Sequence, residues 1–326
     1  MALHPAIVFI AGLVLLAIGA ELVLRGSSRL AVMLGVRPIV LGLTVVTVGN
    51  SLPELAIGLT AGAEGRDGLV VGNIAGTNIF NILFILGLTA LIRPLPIQPL
   101  SGRLGAPAML AATVALIAMS LDGRLGRIDG LLLLAAALAY SAAVVRMSRR
   151  ASPAVKREFY EEFGTEALLA APGAARLASN ALLLLAGIAV IALGAQLLVA
   201  GAVDIARALG VSEAIIGLTI VAMGTSAPEL ATTIVATIRD DRDIAVGNLV
   251  GSSLYNILVI LGATCIAIPG GIAVGTEILR LDLPFAAAVA LACLAVFRSG
   301  RVMSRTEGAC FVGAYLAYLG TLIART

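Results

Sequence analysis

The sequence predicts an all-α membrane protein of ten transmembrane helices, arranged as two inverted five-helix repeats. Three observations carry that expectation. Of the 326 residues 60% are hydrophobic, only 13% are charged, and mean hydropathy is +1.06. A water-soluble domain of this size has no means of hiding that much apolar surface. The apolar residues gather into ten segments, most of them about 20 residues long, which is the length a helix needs to cross a bilayer. Finally, residues 42–92 align with residues 217–267 at a constant offset of 175, with no gap and 22 identities in 51 pairs.

In chain order, the first half (1–147) holds apolar segments at 5–24, 38–62, 68–92, 104–121 and 128–147. A polar connector, 148–176, carries Arg149, Arg150, Lys156, Arg157, Glu158, Glu161 and Glu162. The second half (177–326) holds segments at 177–200, 213–238, 244–268, 279–297 and 307–323. In lipid every backbone polar group needs an internal partner, so these spans are helices. Residues 5–24 lack a basic region before them and read as a first transmembrane helix, not a cleaved signal. With the N-terminus placed outside, the inward loops and the connector hold 16 of the 22 Lys and Arg. That bias puts both termini outside and the connector in the cytoplasm. Five spans is an odd number, so the second half enters the membrane from the opposite side and the repeats are inverted. Cys265, Cys293 and Cys310 lie in or at apolar segments without a CxxC pair and read as small packing residues. His4 stands alone at the N-terminus.

The repeat carries its chemistry in Gly49-Asn50-Ser51-Leu52-Pro53-Glu54 and its counterpart Gly224-Thr225-Ser226-Ala227-Pro228-Glu229. A charge at the bilayer centre costs about 2.5–3.5 kcal/mol on insertion scales. Two acids at matching positions therefore point to a function. Pro53 and Pro228 have no N–H for the carbonyls of Gly49 and Gly224, and each glycine adds backbone freedom, so each helix is expected to break there. Freed carbonyls in lipid need a partner or a cavity. Helical spacing puts Thr47, Asn50, Ser51 and Glu54 on one face, matched by Ala222, Thr225, Ser226 and Glu229. The next helix adds Asn73, Thr77 and Asn81, matched by Asn248, Ser252 and Asn256. Gly72, Gly76, Gly247 and Gly251 beside these stripes are expected to allow close helix approach. The resulting set is carboxylate, hydroxyl, amide oxygen and backbone carbonyl, with no thiolate or imidazole. It suits hard cations such as Ca²⁺, Na⁺, Mg²⁺ or Mn²⁺. Two nearby carboxylates without a cation are expected to share a proton.

Blander roles exist for single residues. Ser and Thr in membrane helices bond their own backbone, an Asn can join two helices, and proline kinks are common. No basic residue lies within the segments of Glu54 and Glu229, so no internal ion pair accounts for them. Glu21, opposite Gln196 in the repeat, is placed near the cytoplasmic interface, and Asp240, Asp241 and Asp243 read as a solvated turn. No basic cluster with aromatics suggests nucleic acid, and no catalytic triad, phosphate loop or redox motif suggests an enzyme.

The paired motifs Gly-x-Ser-x-Pro-Glu and Gly-Asn-x-x-Gly-[Thr/Ser]-x-x-x-Asn-Ile resemble the two alpha-repeats of the cation/calcium exchanger superfamily, most closely its prokaryotic sodium/calcium exchangers. The resemblance covers essentially the whole chain and implies the sodium/calcium exchanger fold. It implies Ca²⁺ ligation by Glu54 and Glu229, with Thr47, Ser51, Thr77, the Ala222 carbonyl, Thr225, Ser226 and Ser252 completing Ca²⁺ and Na⁺ sites. Asn81 and Asn256 take the remaining inward positions. Helices 2–5 and 7–10 would form a core across which helices 1 and 6 slide. Asn50 stands where sodium exchangers usually carry Thr, and this Asn is shared with the calcium/proton branch. Asn256 stands where several relatives carry Asp, which argues against a potassium requirement. The expected activity is exchange of Ca²⁺ for Na⁺ by alternating access in a prokaryotic inner membrane. The alternatives are antiport of Ca²⁺, or another divalent cation, against H⁺ and, third, a passive cation channel. Lipid and the transported ions are the expected partners; no cofactor and no obligate protein partner are expected.

Overall fold

The structure, a computed structural model, describes residues 4–34, 46–97, 100–149, 174–210, 222–300 and 302–324. These form ten helices. They are α1 (Pro5–Leu34), α2 in two pieces (Thr47–Asn50 and Leu52–Ala63), α3 (Asp67–Ile92), α4 (Ser101–Met119) and α5 (Arg127–Arg149), then α6 (Ala174–Ala208), α7 in two pieces (Ala222–Thr225 and Ala227–Ile238), α8 (242–267), α9 (Ile278–Ser299) and α10 (Arg305–Ile323). Seven of them, α1, α3, α4, α5, α6, α8 and α9, are long and apolar enough to cross a membrane. The sequence 38–45 expected to begin α2, the sequence 213–221 expected to begin α7, and most of the 148–176 connector lie outside the described residues.

Two elements outrun the expectation. α1 has 30 residues and α6 has 35. A 30-residue helix is about 45 Å long, more than a hydrocarbon core, so these two overhang or tilt. α1 runs through its charged residues because Glu21 and Arg25 sit one turn apart and pair at 2.6 Å. α10 starts at a capping box, in which the Ser304 Oγ accepts from the Glu307 N–H at 3.3 Å and Glu307 accepts from the Ser304 N–H at 2.7 Å.

Four two-residue strands tie the halves together: β1 (Leu95–Pro96), β2 (Arg124–Leu125), β3 (Ile272–Ala273) and β4 (Val302–Met303). β1 pairs antiparallel with β4, Leu95 opposite Met303, and β2 with β3, Arg124 opposite Ala273. Exchanging the halves turns one pair into the other. Asp67 accepts from the Ala273 N–H at 2.8 Å, and Arg93 pairs with Asp240 at 3.4 Å. The loops at 64–67, 121–126 and 270–275 therefore share one face of the molecule, and those at 93–97, 239–241 and 302–304 share another. This is the parity that inverted five-helix halves require.

The main core is made by α3, α4, α5, α8, α9 and α10, with Ile74, Ile82, Ile85, Leu86, Met109, Leu116, Leu133, Leu249, Ile257 and Ile260 essentially dry. Small residues let backbones meet inside it. A Cβ on Gly308 would stand 2.6 Å from the Gly87 carbonyl, and one on Gly130 would stand 2.6 Å from the Gly262 carbonyl. These are the α3–α10 and α8–α5 contacts, related by the repeat. Gly76, expected to permit such an approach, has open space around it, and Gly72 meets only the tip of Ile278 at 3.7 Å.

α1 and α6 form a separate antiparallel pair. Its seam is glycine at a seven-residue spacing, Gly12, Gly19 and Gly26 on α1 and Gly187, Gly194 and Gly201 on α6. A Cβ on Gly19 would lie 2.7 Å from the Ile191 backbone nitrogen, and one on Gly194 would lie 2.8 Å from that of Leu16. Two helices this close share their backbone surfaces, as small-residue seams in membranes do.

The pair sits asymmetrically on the core. The C-terminal part of α1 covers the second piece of α7: Leu24 shares an apolar cluster with Ala236 and Val235, Leu16 and Val23 share another with Ala227 and Ala231, and Glu21 pairs with Arg239 at 2.8 Å. The repeat-related contact would be α6 on the second piece of α2. There Leu52 is 47% and Leu59 36% exposed, against 5% for Ala227, the counterpart of Leu52. One end of the interface between the α1–α6 pair and the core is covered and the other is not.

Candidate cation-binding site

The two motifs break their helices at single residues. Ser51 (φ −89°, ψ 13°) separates the two pieces of α2, and Ser226 (φ −88°, ψ 7°) separates those of α7. Pro53 and Pro228 fall in the first turn of the piece that follows, where a missing N–H costs nothing. Each second piece thus begins beside its glutamate, placing Glu54 and Glu229 where the unpaired N–H ends of a helix carry partial positive charge. The glycines earn their place by packing. Neither Gly49 nor Gly224 adopts the left-handed backbone that only glycine favours; a Cβ on Gly49 would collide with Ile188 and one on Gly224 with Val199, both from α6. The conformational-freedom reading of these two glycines is corrected accordingly.

The inward faces converge. Ser51 and Ser252 both donate to Glu229 Oε1, at 3.2 and 3.4 Å, so the break in α2, the acid of α7 and the stripe of α8 meet at one carboxylate. Thr47 donates to the Asn248 carbonyl at 3.4 Å. Asn50 donates to Thr232 Oγ1 and to Asn248 Oδ1, each at 3.2 Å. Asn256 donates to Asn78 Oδ1 at 3.1 Å, and Asn78 donates to the Ser253 carbonyl at 3.0 Å. Asn81 and Asn256 both sit in wide π-helical turns, at Phe80–Leu86 and Asn256–Leu261. Such turns recur at functional sites because they re-aim side chains that an α-helix would stack in register. Thr225 is half-buried, and Ala222 opens the short first piece of α7.

Glu54, Glu229, Thr47, Asn50, Ser51, Thr77, Asn81, Ser226, Ser252 and Asn256 are all buried. No Lys, Arg or His is buried among the described residues, so none of these cations balances the two acids. Several of their atoms have no hydrogen-bond partner: Asn50 Oδ1, both Glu54 oxygens, Thr77 Oγ1, both polar atoms of Asn81, Ser226 Oγ, Glu229 Oε2 and Asn256 Oδ1. Buried polar atoms are nearly always satisfied, and a buried anion without a partner is expensive. All but one of these atoms are oxygens, the donor set a hard cation takes. The sequence reading did not single out Asn78, Thr232 or Thr233. Asn78 precedes Asn81 by three and shares its helix face. Thr232 follows Glu229 by three, but its repeat counterpart is Ile57, so a search for matching positions passes over it.

Comparison with known proteins decides the family. The sequence profile described as "Sodium/calcium exchanger protein" matches residues 4–146 and 179–324, which are the two halves. The chain belongs to the sodium/calcium exchanger family. It is 34% identical over 263 residues to the inner membrane protein YrbG of Escherichia coli, covering 81% of this chain and 80% of that one. It is 29% identical over 343 residues to the sodium/calcium exchanger MaX1 of Methanosarcina acetivorans, covering 97% of each. Among solved structures it resembles the sodium-calcium exchanger NCX_Mj soaked with 2.5 mM Na⁺ and 0.1 mM Ca²⁺, with a TM-score of 0.82 and 27% identity over 99% of both chains. The exchanger fold of ten helices in two inverted halves accounts for the strand pairing and the twin helix breaks. The protein is an integral membrane cation/calcium antiporter of this family.

Proposed function

We propose that this exchanger carries Ca²⁺ against Na⁺, with Glu54 and Glu229 as ligands that both ions share. The observation that supports the reading is the set of unpartnered buried oxygens on the residues of the two motifs, among them both oxygens of Glu54 and one of Glu229, with no buried basic residue among the described residues. Two negative charges match one divalent ion or two monovalent ions, so calcium and sodium compete for the same oxygens. Thr47, Asn50, Ser51, Thr77, Asn81, the Ala222 carbonyl, Thr225, Ser226, Ser252 and Asn256 complete the ion sites in this proposal. A filled site lets the α1–α6 pair slide; two bare carboxylates resist passage beside an apolar seam. With both termini outside and the connector cytoplasmic, the shut α1–α7 contact faces the cytoplasm and the uncovered α2 face looks outward. The structure then corresponds to an outward-open state. The membrane would be a prokaryotic inner membrane, the location named for the Escherichia coli relative.

The test is radioactive calcium uptake into proteoliposomes under imposed sodium, proton or potassium gradients. A sodium gradient is expected to drive uptake, and Mg²⁺ or Mn²⁺ in competition reports the breadth of the site. Uptake driven by a proton gradient without sodium would reassign the counter-ion to the branch with which the chain shares Asn50, although the longer spacing to Glu54 and the preceding Pro53 fit the sodium branch better. Uptake indifferent to every gradient would mean a channel. Glu54→Gln is expected to abolish exchange in a protein that still folds, and normal calcium flux in that variant would sink the assignment.

A further inference from the structure

We infer that Thr232, Asn248 and Asn78 are positioning residues: they hold the amide nitrogens of Asn50 and Asn256 away from the cation, so that only carbonyl oxygens face it. The inference rests on the proposed cation site. An amide side chain can present either an acceptor oxygen, which attracts a cation, or an NH₂ group, which repels it. Which end faces inward is settled by a directed chain of hydrogen bonds.

The chain is readable atom by atom. The Thr232 hydroxyl gives its proton to the Pro228 carbonyl at 2.7 Å. Only its lone pairs remain for Asn50, which must therefore offer Nδ2. Asn248 gives its own Nδ2 to Thr233 Oγ1 at 3.4 Å, which leaves its Oδ1 to accept the second proton of Asn50. Both Asn50 protons are thus committed to the protein, and its Oδ1 is the unpartnered atom. Asn256 follows the same logic. Its Nδ2 goes to Asn78 Oδ1, fixed because Asn78 spends its own nitrogen on the Ser253 carbonyl, and Asn256 Oδ1 is left free.

The internal repeat supplies the control. Asn50 and Thr232 correspond to Thr225 and Ile57. Where the inward residue is a hydroxyl, the anchoring position is a hydrocarbon; where it is an amide, the anchor is an acceptor. Asn256 and Asn78 correspond to Asn81 and Ser253, and the Ser253 hydroxyl is turned back to the Leu249 carbonyl at 3.0 Å. Asn81 accordingly has neither amide atom held. The fixed amide oxygens are a one-sided feature of this site.

The experiment is sodium-driven calcium uptake, with equilibrium dialysis of calcium, on wild type, Thr232→Val, Thr232→Ser and the double variant Asn50→Thr with Thr232→Val. Val keeps the shape of Thr232 and removes the acceptor. The calcium concentration for half-maximal uptake is expected to rise about tenfold, the effect of one buried donor left unsatisfied, with maximal rate within about twofold. Thr232→Ser restores wild-type affinity, and Thr232→Val adds nothing to Asn50→Thr, whose amide is already gone. Should Thr232→Val fail to fold, Asn78→Leu carries the same expectation through Asn256. Unchanged half-saturation in the folded variant, a loss of maximal rate alone, or an equal further loss in the Asn50→Thr background would each overturn the inference. A wild type that binds no calcium would overturn the proposed function with it; a normal wild type with an inert Thr232→Val overturns this inference alone.

Discussion

The covered end of the α1–α6 pair carries an ion pair that the matching positions at the other end cannot make, and under the proposed sliding of this pair, breaking it is expected to change which way the protein faces. Glu21 on α1 pairs with Arg239 on α7 at 2.8 Å and with Arg25 at 2.6 Å. Their repeat counterparts are Gln196 and Glu64, which cannot form an ion pair, and Glu64 pairs with Arg66 at 3.2 Å instead. Exposed pairs contribute about 0.2–1 kcal/mol. The Glu21 side chain is only 21% exposed while Arg239 is 54% exposed, so the upper end of that range, about 1 kcal/mol, applies. Glu21→Gln then shifts the balance between the two end states about fivefold. Glu21→Arg replaces attraction by repulsion from two arginines; doubling the energy to about 2 kcal/mol gives about thirtyfold.

Hydrogen exchange followed by mass spectrometry reads the shift. Peptides from the second piece of α7, now covered by α1, are expected to exchange faster in Glu21→Arg. Peptides from the second piece of α2 exchange more slowly as α6 comes to cover them. The difference shrinks as salt rises from 0.1 to 1 M, since the Debye length falls from about 10 to about 3 Å. Building the missing pair, Gln196→Glu with Glu64→Arg, should shift exchange in the opposite sense. If Glu21→Arg leaves the ratio between the two peptides unchanged, the pair does not bias the slider and the reasoning fails.

Other outcomes follow from the packing. Gly19→Ala would set a Cβ 2.7 Å from the Ile191 nitrogen and is expected to cost about 1–3 kcal/mol, read as lower thermal stability in detergent. Gly313→Ala, with nothing within 4 Å, should instead be neutral or stabilising by about 0.5–1 kcal/mol. Gly49→Ala pushes Ile188 of α6 off the motif, so uptake should fall, and adding Ile188→Ala should recover part of it, a non-additivity that a double-variant cycle measures.

Much of the fold was legible because lipid leaves few choices. Apolar runs of spanning length must be helices, and an odd number per repeat fixes the inversion. The lengths of α1 and α6 were not, because Glu21 and Arg25 look like an end to the span when read singly and cancel when paired one turn apart. The two-residue strands carry no periodicity to detect. The glycine seam is written in the spacing of Gly12, Gly19 and Gly26, yet the glycines beside the polar stripes look equally suited to close approach, and Gly76 faces open space. Within the site, the acids and their helix-face partners were legible from spacing. Thr232 and Asn78 were not, because each anchors an amide from the other half of the molecule, and contacts between halves leave no trace in local sequence.

That failure has a physical lesson about inverted repeats. Matching positions mark what both halves need: a broken helix, an acid at its N-terminal end, a glycine where the slider passes. A perfectly symmetric molecule would have two end states of equal energy and two equivalent flanks to its site. Neither holds here. Glu21 and Arg239 stand against Gln196 and Glu64, so only one half carries that ion pair, and Asn50 with Thr232 stands against Thr225 with Ile57, so the flanks of the candidate site differ. Both differences are pairwise: two residues that touch each other are each replaced at the matching positions of the other half. The shared positions therefore build the frame of a cation/calcium antiporter, and the mismatched pairs are where the variants above test whether its two halves act unequally.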